Sequence, residues 1–455
     1  MPPTAPLSET QGEGGFWGAA SVIVMLILAV LDSSALQVAL PQMMHSLGVS
    51  AGASVWILIS FQLTLVAFLL PCSALADCIG YGSVFLCGAV IFVAASLGCA
   101  VSSDMLTLCA ARAAQGVGAA AIYSTNPSLV RLLFPGKRLA RGIALSSMTN
   151  ALSLALGPSV GAAILIAAGW RWIFLVNLPI GIVGIAVGLL SLPSARKQRL
   201  VKLGEGLDVR SVALSILFLP LFLVGCDRLA SAPGSGLTSV ACSLATAMLL
   251  IARQRRRPYQ MIPVSLFRQP VFSLSLACSS LSFLALSTGY TALPFLFERD
   301  AAMAMREVAL YMMIPPLFTA AANAGVIVLL RHVGEVLLCS LGMLFMALGL
   351  IVLGVSQPAG ASLYLALALL GVGFGIFQTP NNRMILGAGA ADRSGNVSGT
   401  LAVARTIGQT GGSTVVSVSL ATFAHDGSSI ALCIAAAAAL ASGLVGIGRG
   451  MRGDG

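Results

Sequence analysis

Apolar runs follow one another along the whole chain, each broken after some twenty residues by a short polar, glycine- or proline-bearing stretch. A helix needs about 20 mostly apolar residues to cross a bilayer. Runs of that length lie at 16–38, 54–75, 82–101, 105–128, 139–166, 170–191, 209–227, 235–252, 271–297, 306–330, 334–355, 359–380, 394–420 and 428–449. This pattern predicts about fourteen transmembrane helices and an all-α polytopic membrane protein. Lipid offers no partner to backbone N–H and C=O groups, so every span must be helical. The breaks are short, which leaves no room for an attached soluble domain. The segment before the first run carries Glu9 and Glu13 and no Lys or Arg, and the run is too long for a cleavable leader, so it is expected to stay in the mature protein.

The pattern also repeats. "LADCIGYGSVFLCG", Leu75 to Gly88, resembles "LLRHVGEVLLCSLG", Leu329 to Gly342, at an offset of 254, and Gly157 and Gly161 answer Gly408 and Gly412 at an offset of 251. Agreement between the offsets superposes spans 1–6 on spans 9–14 and leaves spans 7 and 8 as an inserted pair. The expected organisation is an N-terminal tail at 1–15, a six-helix half at 16–191, an inserted pair with its loops at 192–270, a second six-helix half at 271–449 and a C-terminal tail at 450–455.

Charge assigns the sides. Basic residues gather in alternate loops, nineteen on one side and four on the other, with Arg112 and Arg405 inside helices. By the positive-inside rule both termini are cytoplasmic. Arg449 is counted here among the cytoplasmic residues. Composition agrees with a membrane protein: 58% of residues are hydrophobic and 9% charged, where globular domains carry about 25% charged residues. The net charge of +10 is spread over many loops facing anionic headgroups, which argues against a nucleic-acid partner. The run "RQRRRPY", Arg253 to Tyr259, reads as an anchor at a helix end. The ten cysteines show no CxxC spacing and read as small packing residues, and the three histidines lie far apart, so no metal site or cofactor is expected.

Five stretches carry a family resemblance: "LDSSALQVALP" (31–41), "SALADCIGYG" (73–82), "ARAAQGVGAAA" (111–121), "ALGPSVGAA" (155–163) and "GWRWIFLVNLPIG" (169–181). The chain resembles the major facilitator superfamily and, within it, the fourteen-span branch of drug:proton antiporters. The resemblance implies two six-helix halves around a shared cavity, alternating access, a small-molecule substrate, protons as the energy source, a monomer and a bacterial inner-membrane location. Gly157, Pro158 and Gly161 form a small-residue seam in which Pro158 bends the helix; the resemblance adds a role in closing the external side. In the loop after span 2 only Leu75, Ala76, Asp77 and Gly80 keep the family pattern, with Cys78, Tyr81 and Gly82 standing where basic residues are usual. Asp77 is either an ordinary helix-end carboxylate or a brace of the inward gate, capping span 13 or pairing with Arg131.

Ionisable residues inside the spans are the candidate chemistry. At helical rise Arg112 lies ~12 Å and Asp32 roughly 9 Å from the external ends of their spans, so the two can meet if both face the shared cavity. A lone charge at bilayer depth costs at least ~2.5–3.5 kcal/mol, so Asp32 needs a partner or a proton. The pair either ties spans 1 and 4 together statically or carries the proton coupling, and the second reading is preferred because buried membrane ionisables usually lie on substrate or proton pathways. Arg405, ~17 Å into span 13, can donate to helix carbonyls or bind an acidic substrate group. Glu298 in "FLFERD" is a second candidate proton carrier, read here as a solvated loop residue. Gln37, Gln62, Asn126, Asn150, Gln378 and Asn381, with Tyr123 and Phe374 as aromatic walls, are expected to line the cavity or to bond helices together.

No cluster of His, Asp or Glu and no phosphate-binding glycine loop points to an enzyme, no charged ring to a channel, and no appended domain to a sensor. The sequence therefore predicts a secondary transporter, with proton-coupled efflux of small lipophilic or drug-like molecules as the main reading and a facilitator or proton symporter for an organic anion as the alternative.

Overall fold

The computed structural model describes residues 11–192, 209–254, 267, 269–301, 305–356, 360–387, 394–423 and 426–453. Helices occupy all fourteen expected spans. They are α1 (Gln11–Leu47), α2 (Ala51–Ser54) with α3 (Trp56–Ile79), α4 (Tyr81–Val101), α5 (Met105–Leu133), α6 (Leu139–Ala168), α7 (Arg171–Leu175) with α8 (Asn177–Ser191), α9 (Val209–Ser231) and α10 (Pro233–Gln254). The second part of the chain adds α11 (Pro270–Ala301), α12 (Met305–Leu329), α13 (Glu335–Val355), α14 (Ala361–Gly387), α15 (Ser394–Thr422) and α16 (Gly427–Gly453). Among the described residues ten helices are long and apolar enough to cross a membrane, eleven if bent α6 counts as one span, while α9 and α12 contain shorter apolar helices, Arg210–Phe222 and Leu310–Val326. The loops at 196–208 and 255–257, which carry much of the basic charge, lie outside the described residues.

Local chemistry sets the helix ends and bends. Asp104 caps α5, accepting from the Thr107 backbone N–H and hydroxyl, both at 2.9 Å; these donors hold its carboxyl below the usual carboxylate range. Gly80 joins α3 to α4 at φ +99°, a conformation that side chains with a Cβ rarely adopt. In α6 the helix bends by 43° between Met148–Leu154 and Leu156–Ala168. Pro158 explains the bend, because it offers no N–H to the Leu154 carbonyl one turn back.

The two parts of the chain pack their helices in parallel. In the first half α1 packs on α6, α3 on α5 and α4 on α5; in the second α11 packs on α15, α12 on α14 and α13 on α14. Small residues make the closest of these crossings. A Cβ on Gly161 would stand 2.5 Å from the Ala35 carbonyl oxygen, and one on Gly412 2.5 Å from that of Leu284, so α6 and α15 each press backbone to backbone on the first helix of their own half. The pair α9 and α10 packs on itself and on α3, with α9 also reaching α15.

The halves meet most closely at the end that carries His45. One apolar cluster runs across both, joining Leu36, Leu40, Val55 and Ile59 to Leu293, Phe297, Met312 and Val416. Three polar contacts reinforce it: Ser417 donates to the Gly52 carbonyl at 2.9 Å, Ser413 to the Gln62 side chain at 3.1 Å, and His45 meets Glu298 at 2.5 Å. Glu298 is thus no isolated loop carboxylate, because α1 and α11 end side by side. A Cβ at Gly52 would lie 2.8 Å from the Ser417 carbonyl oxygen. Gly52→Leu is expected to wedge this end open, so a cysteine at Gln37 should react several-fold faster with a thiol reagent in the Gly52→Leu background than in the parent.

Candidate polar network and interhelical cleft

Helices α5 and α8 donate to one carboxylate on α1, and α3, α4 and α7 contact the donors on α5. Asp32 of α1 receives the Arg112 Nη1 donor from α5 at 2.5 Å, Gln115 Nε2 at 3.1 Å and Asn177 Nδ2 from the start of α8 at 2.7 Å. Gln115 also accepts from Arg112 at 2.5 Å and donates to Ser96 of α4 at 2.8 Å. Arg112 Nε donates to the Ile57 carbonyl of α3 at 3.2 Å, and its guanidinium lies 4.3 Å from the Phe61 ring centroid and 5.7 Å from that of Phe174 in α7. Asp32, Arg112, Gln115, Ser96 and Asn177 are all buried. The carboxylate is therefore paired and hydrogen-bonded from several sides, as a buried ion pair requires, while Arg112 Nη2 is buried with no hydrogen-bond partner among the described residues.

The equal depth read from the sequence does bring Asp32 and Arg112 together. Their setting differs from expectation: both side chains are fully buried inside the first half and face no cavity between the halves. Helical geometry explains this, since Ser34, two residues on, turns about 200° round α1 and faces the other way. The sequence reading missed Ser96 and Asn177. Asn177 was legible as an amide in the otherwise apolar "FLVNLPIG", where Pro179 permits the break between α7 and α8; Ser96 carried no signal apart from being a hydroxyl in an apolar run.

Between the halves lies a narrow cleft of about 20 Å³, in which Ser34, Gln37, Leu154 and Pro158 face Leu286, Ser287, Tyr290 and Gln409. No charged residue lines it. Of the residues expected to line the cavity, Gln37 does so. Gln62 is buried and accepts from Ser413. Asn126 donates to Ser146 at 2.8 Å, Gln378 accepts from Asn323 at 3.2 Å, and Tyr123 packs against the core of the first half. Phe374 is buried edge-on against Phe283, their centroids 5.2 Å apart. Asn150 is half-buried on α6, apart from the cleft lining. These are helix-to-helix contacts, the other of the two roles the sequence left open for them.

Arg449 departs furthest from expectation. It is no loop residue but is buried, where its Nη1 donates to Ser275 of α11 at 2.8 Å and Asn381 of α14 at 2.9 Å. Asn381 in turn donates to the Ser275 carbonyl at 3.2 Å, so it serves the interior of the second half. Arg405 donates to Asn382 at 2.6 Å and lies 5.3 Å over the Phe283 ring. At the other end of the first half Asp77 accepts from the Tyr81 hydroxyl at 2.5 Å, while Arg131 is exposed at the end of α5. Gly157, Pro158 and Gly161 form the α1–α6 seam, and Pro158 also walls the cleft.

Comparison with known proteins places this architecture. Residues 22–413 match the sequence model of the Major Facilitator Superfamily. The chain belongs to this superfamily. It is 35% identical over 437 residues, 93% of each chain, to "Uncharacterized transporter YebQ" of Escherichia coli K12. It is 30% identical over 408 residues, 87% of this chain and 74% of the other, to "Multidrug resistance protein Stp" of Mycobacterium tuberculosis. Over 250 residues, 55% of this chain and 52% of the other, it is 33% identical to "Putative multidrug resistance protein MdtD" of Escherichia coli. A structure solved in work on substrate recognition in proton dependent oligopeptide transporters superposes with a TM-score of 0.64 over 95% of this chain and 98% of the other at 15% identity, which establishes the shared fold. As a member of the Major Facilitator Superfamily the protein is a multi-pass secondary transporter and not an enzyme.

Within this superfamily fold, the network round Asp32 also has a structural weight. Asn177→Leu removes one donor from a buried carboxylate and is expected to cost about 1–3 kcal/mol, read as a lower melting temperature of the purified protein in detergent. Asn126→Leu, outside the network, should lower it less.

Proposed function

We propose that this transporter exports small lipophilic molecules in exchange for protons by alternating access, with Asp32 as the proton-carrying group. The observation that carries the reading is the convergence of Arg112, Gln115 and Asn177 on the buried Asp32. Neutralising the carboxylate would release the Arg112 guanidinium, which retains Gln115, the Ile57 carbonyl and the Phe61 ring, and would loosen α1 from α5 and α8. The same helix bears Ser34 and Gln37 on the cleft wall and Ala35 in the α6 seam, so a proton at 32 acts on the substrate site through one rigid element. The names of Stp and MdtD as multidrug resistance proteins support the direction of transport, as does the resemblance to the fourteen-span antiporter branch.

The halves at 16–191 and 271–449 are the moving bodies in this reading, with 192–270 as the inserted pair. The asymmetry of basic residues supports cytoplasmic termini even with Arg449 removed from the tally. The His45 end is then external, and the conformation is closed to the outside. Gly80, Asp77 and Arg131 lie at the cytoplasmic gate and the seam at Gly157, Pro158 and Gly161 at the external one.

Two measurements test the proposal. In proteoliposomes Asp32→Asn should abolish pH-gradient-driven flux while leaving insertion and substrate-for-substrate exchange, and Asp32→Glu should keep part of the flux; undiminished gradient-driven flux in Asp32→Asn would move the proton site elsewhere, with Glu298 next in line. Leu200→Cys should resist a membrane-impermeant thiol reagent on intact cells. Ready labelling there would invert the topology.

A further inference from the structure

A carboxylate that takes up a proton turns from a pure acceptor of hydrogen bonds into a donor. Its surroundings must then supply an acceptor that they do not present to the ionised form. Around Asp32, Oδ2 faces Arg112 Nη1 at 2.5 Å, and Oδ1 faces two amide nitrogens, Gln115 Nε2 at 3.1 Å and Asn177 Nδ2 at 2.7 Å. All three are donors. A guanidinium has no acceptor to offer, so a new O–H on Asp32 is met only by an amide that turns over and presents its oxygen.

The two amides are not equally able to turn. Gln115 is held at both ends: its Oε1 accepts from Arg112 Nη1 at 2.5 Å and from the Cys99 thiol at 3.8 Å, and its Nε2 donates to Ser96 at 2.8 Å. Turning it would set an NH2 group against the guanidinium. Asn177 Nδ2 has one close partner, Asp32 itself, and a second contact with Ser96 Oγ at 3.4 Å, long for a hydrogen bond. The Ser96 hydroxyl, which donates to the Phe92 carbonyl at 2.8 Å, can turn its proton to an amide oxygen instead. Asn177 also opens α8 at the joint with α7. The other ionisable groups that act on this site are Tyr123 on α5 and Cys99 on α4, with Cys109 acting on Cys99 and Arg112. Helix α8 carries none; Arg171 of α7 is turned to the Ser102 carbonyl at 3.3 Å, and those of α3 begin at Cys72, four turns past Ile57. Phenols and thiols ionise above neutral pH, so a proton arriving near neutrality is taken by the carboxylate.

We infer that Asn177 is the proton-linked switch of this network: its Nδ2 donates to the Asp32 carboxylate, and when Oδ1 of Asp32 takes a proton the Asn177 amide turns over and its oxygen accepts the new O–H. Arg112 stays with Gln115 and the Ile57 carbonyl. One proton is added and one hydrogen bond reverses its direction; no other bond changes. Asn177 is thus a positioning residue for the coupling proton, which rests on the proposed role of Asp32. Donation to an anion is stronger than acceptance from a neutral acid, so an Asn177 variant without an amide favours the protonated carboxyl.

Two readouts test the inference. The first is magnetic resonance of the purified full chain in detergent, with nitrogen-15 in its asparagine side chains. The signal missing from Asn177→Gln, which keeps an amide, belongs to Asn177. It should move with pH in the wild type and stay fixed in Asp32→Asn; a signal that is fixed in the wild type over the pH range in which flux changes, or that moves equally in Asp32→Asn, overturns the inference. The second is flux against pH in proteoliposomes, where Asn177→Leu should bring half-maximal gradient-driven flux at about tenfold lower proton concentration with KM changed by less than about twofold. Asn126→Leu should leave the half-maximum in place. An unmoved half-maximum in Asn177→Leu, or the same displacement in Asn126→Leu, also overturns it. If Asn177→Leu fails to fold, the resonance readout decides. Flux that survives in Asp32→Asn beside an Asn177 signal that follows pH only when Asp32 is present sinks the exporter reading and leaves this one standing. A fixed signal with flux abolished in Asp32→Asn sinks this one alone.

Discussion

A charge or an amide inside hydrocarbon must find its partner within the protein, since lipid supplies none. This constraint organises the molecule. It makes every span a helix, turns Asp32 away from the cleft and into reach of Arg112, Gln115 and Asn177, and draws Arg449 onto Ser275 and Asn381. Each polar cluster ties helices that are distant in sequence, so satisfying one group fixes the positions of several spans. Asp32 alone is joined to residues 80, 83 and 145 positions away.

The two halves answer this constraint with the same backbone and different chemistry. Their packing is parallel, with glycine seams pressing α6 on α1 and α15 on α11. Their polar interiors are not parallel. The first half centres on an acid paired with an arginine; the second centres on arginines whose described partners are neutral amides and hydroxyls. The first therefore holds a carboxylate and the second only cations and neutral groups among its described partners.

The interface between the halves adds the mechanical part. Apolar packing and three polar contacts close the His45 end, and the cleft lies between α1, α6, α11 and α15. These are the helices that the glycine seams join within each half, so each cleft wall is a closely packed pair. Walls of this kind move as units and not side chain by side chain. Asp32 sits on one of them.

The sequence by itself determined the solvent, the helices and the repeat. Apolar runs of spanning length left only one secondary structure open, and the offsets of Gly80, Gly88, Gly157 and Gly161 marked the halves, because helix crossings tolerate little but small residues. It also determined that Asp32 needed a partner, and helical rise gave Arg112 the right depth. Only the tertiary structure decided which way these residues face, since rotation about a helix axis is set by what packs on each side. Hydropathy could not rank the faces of α1, where Asp32 on one side and Ser34 and Gln37 on another are all polar, so the cavity setting expected for Asp32 and Arg112 gave way to the bundle interior. For the same reason Arg449, four residues from the end of α16, read as a loop cation and is a buried one. Ser96 and Asn177 became part of the site only through the approach of α4 and α8, a contact between spans that no local pattern along the chain records.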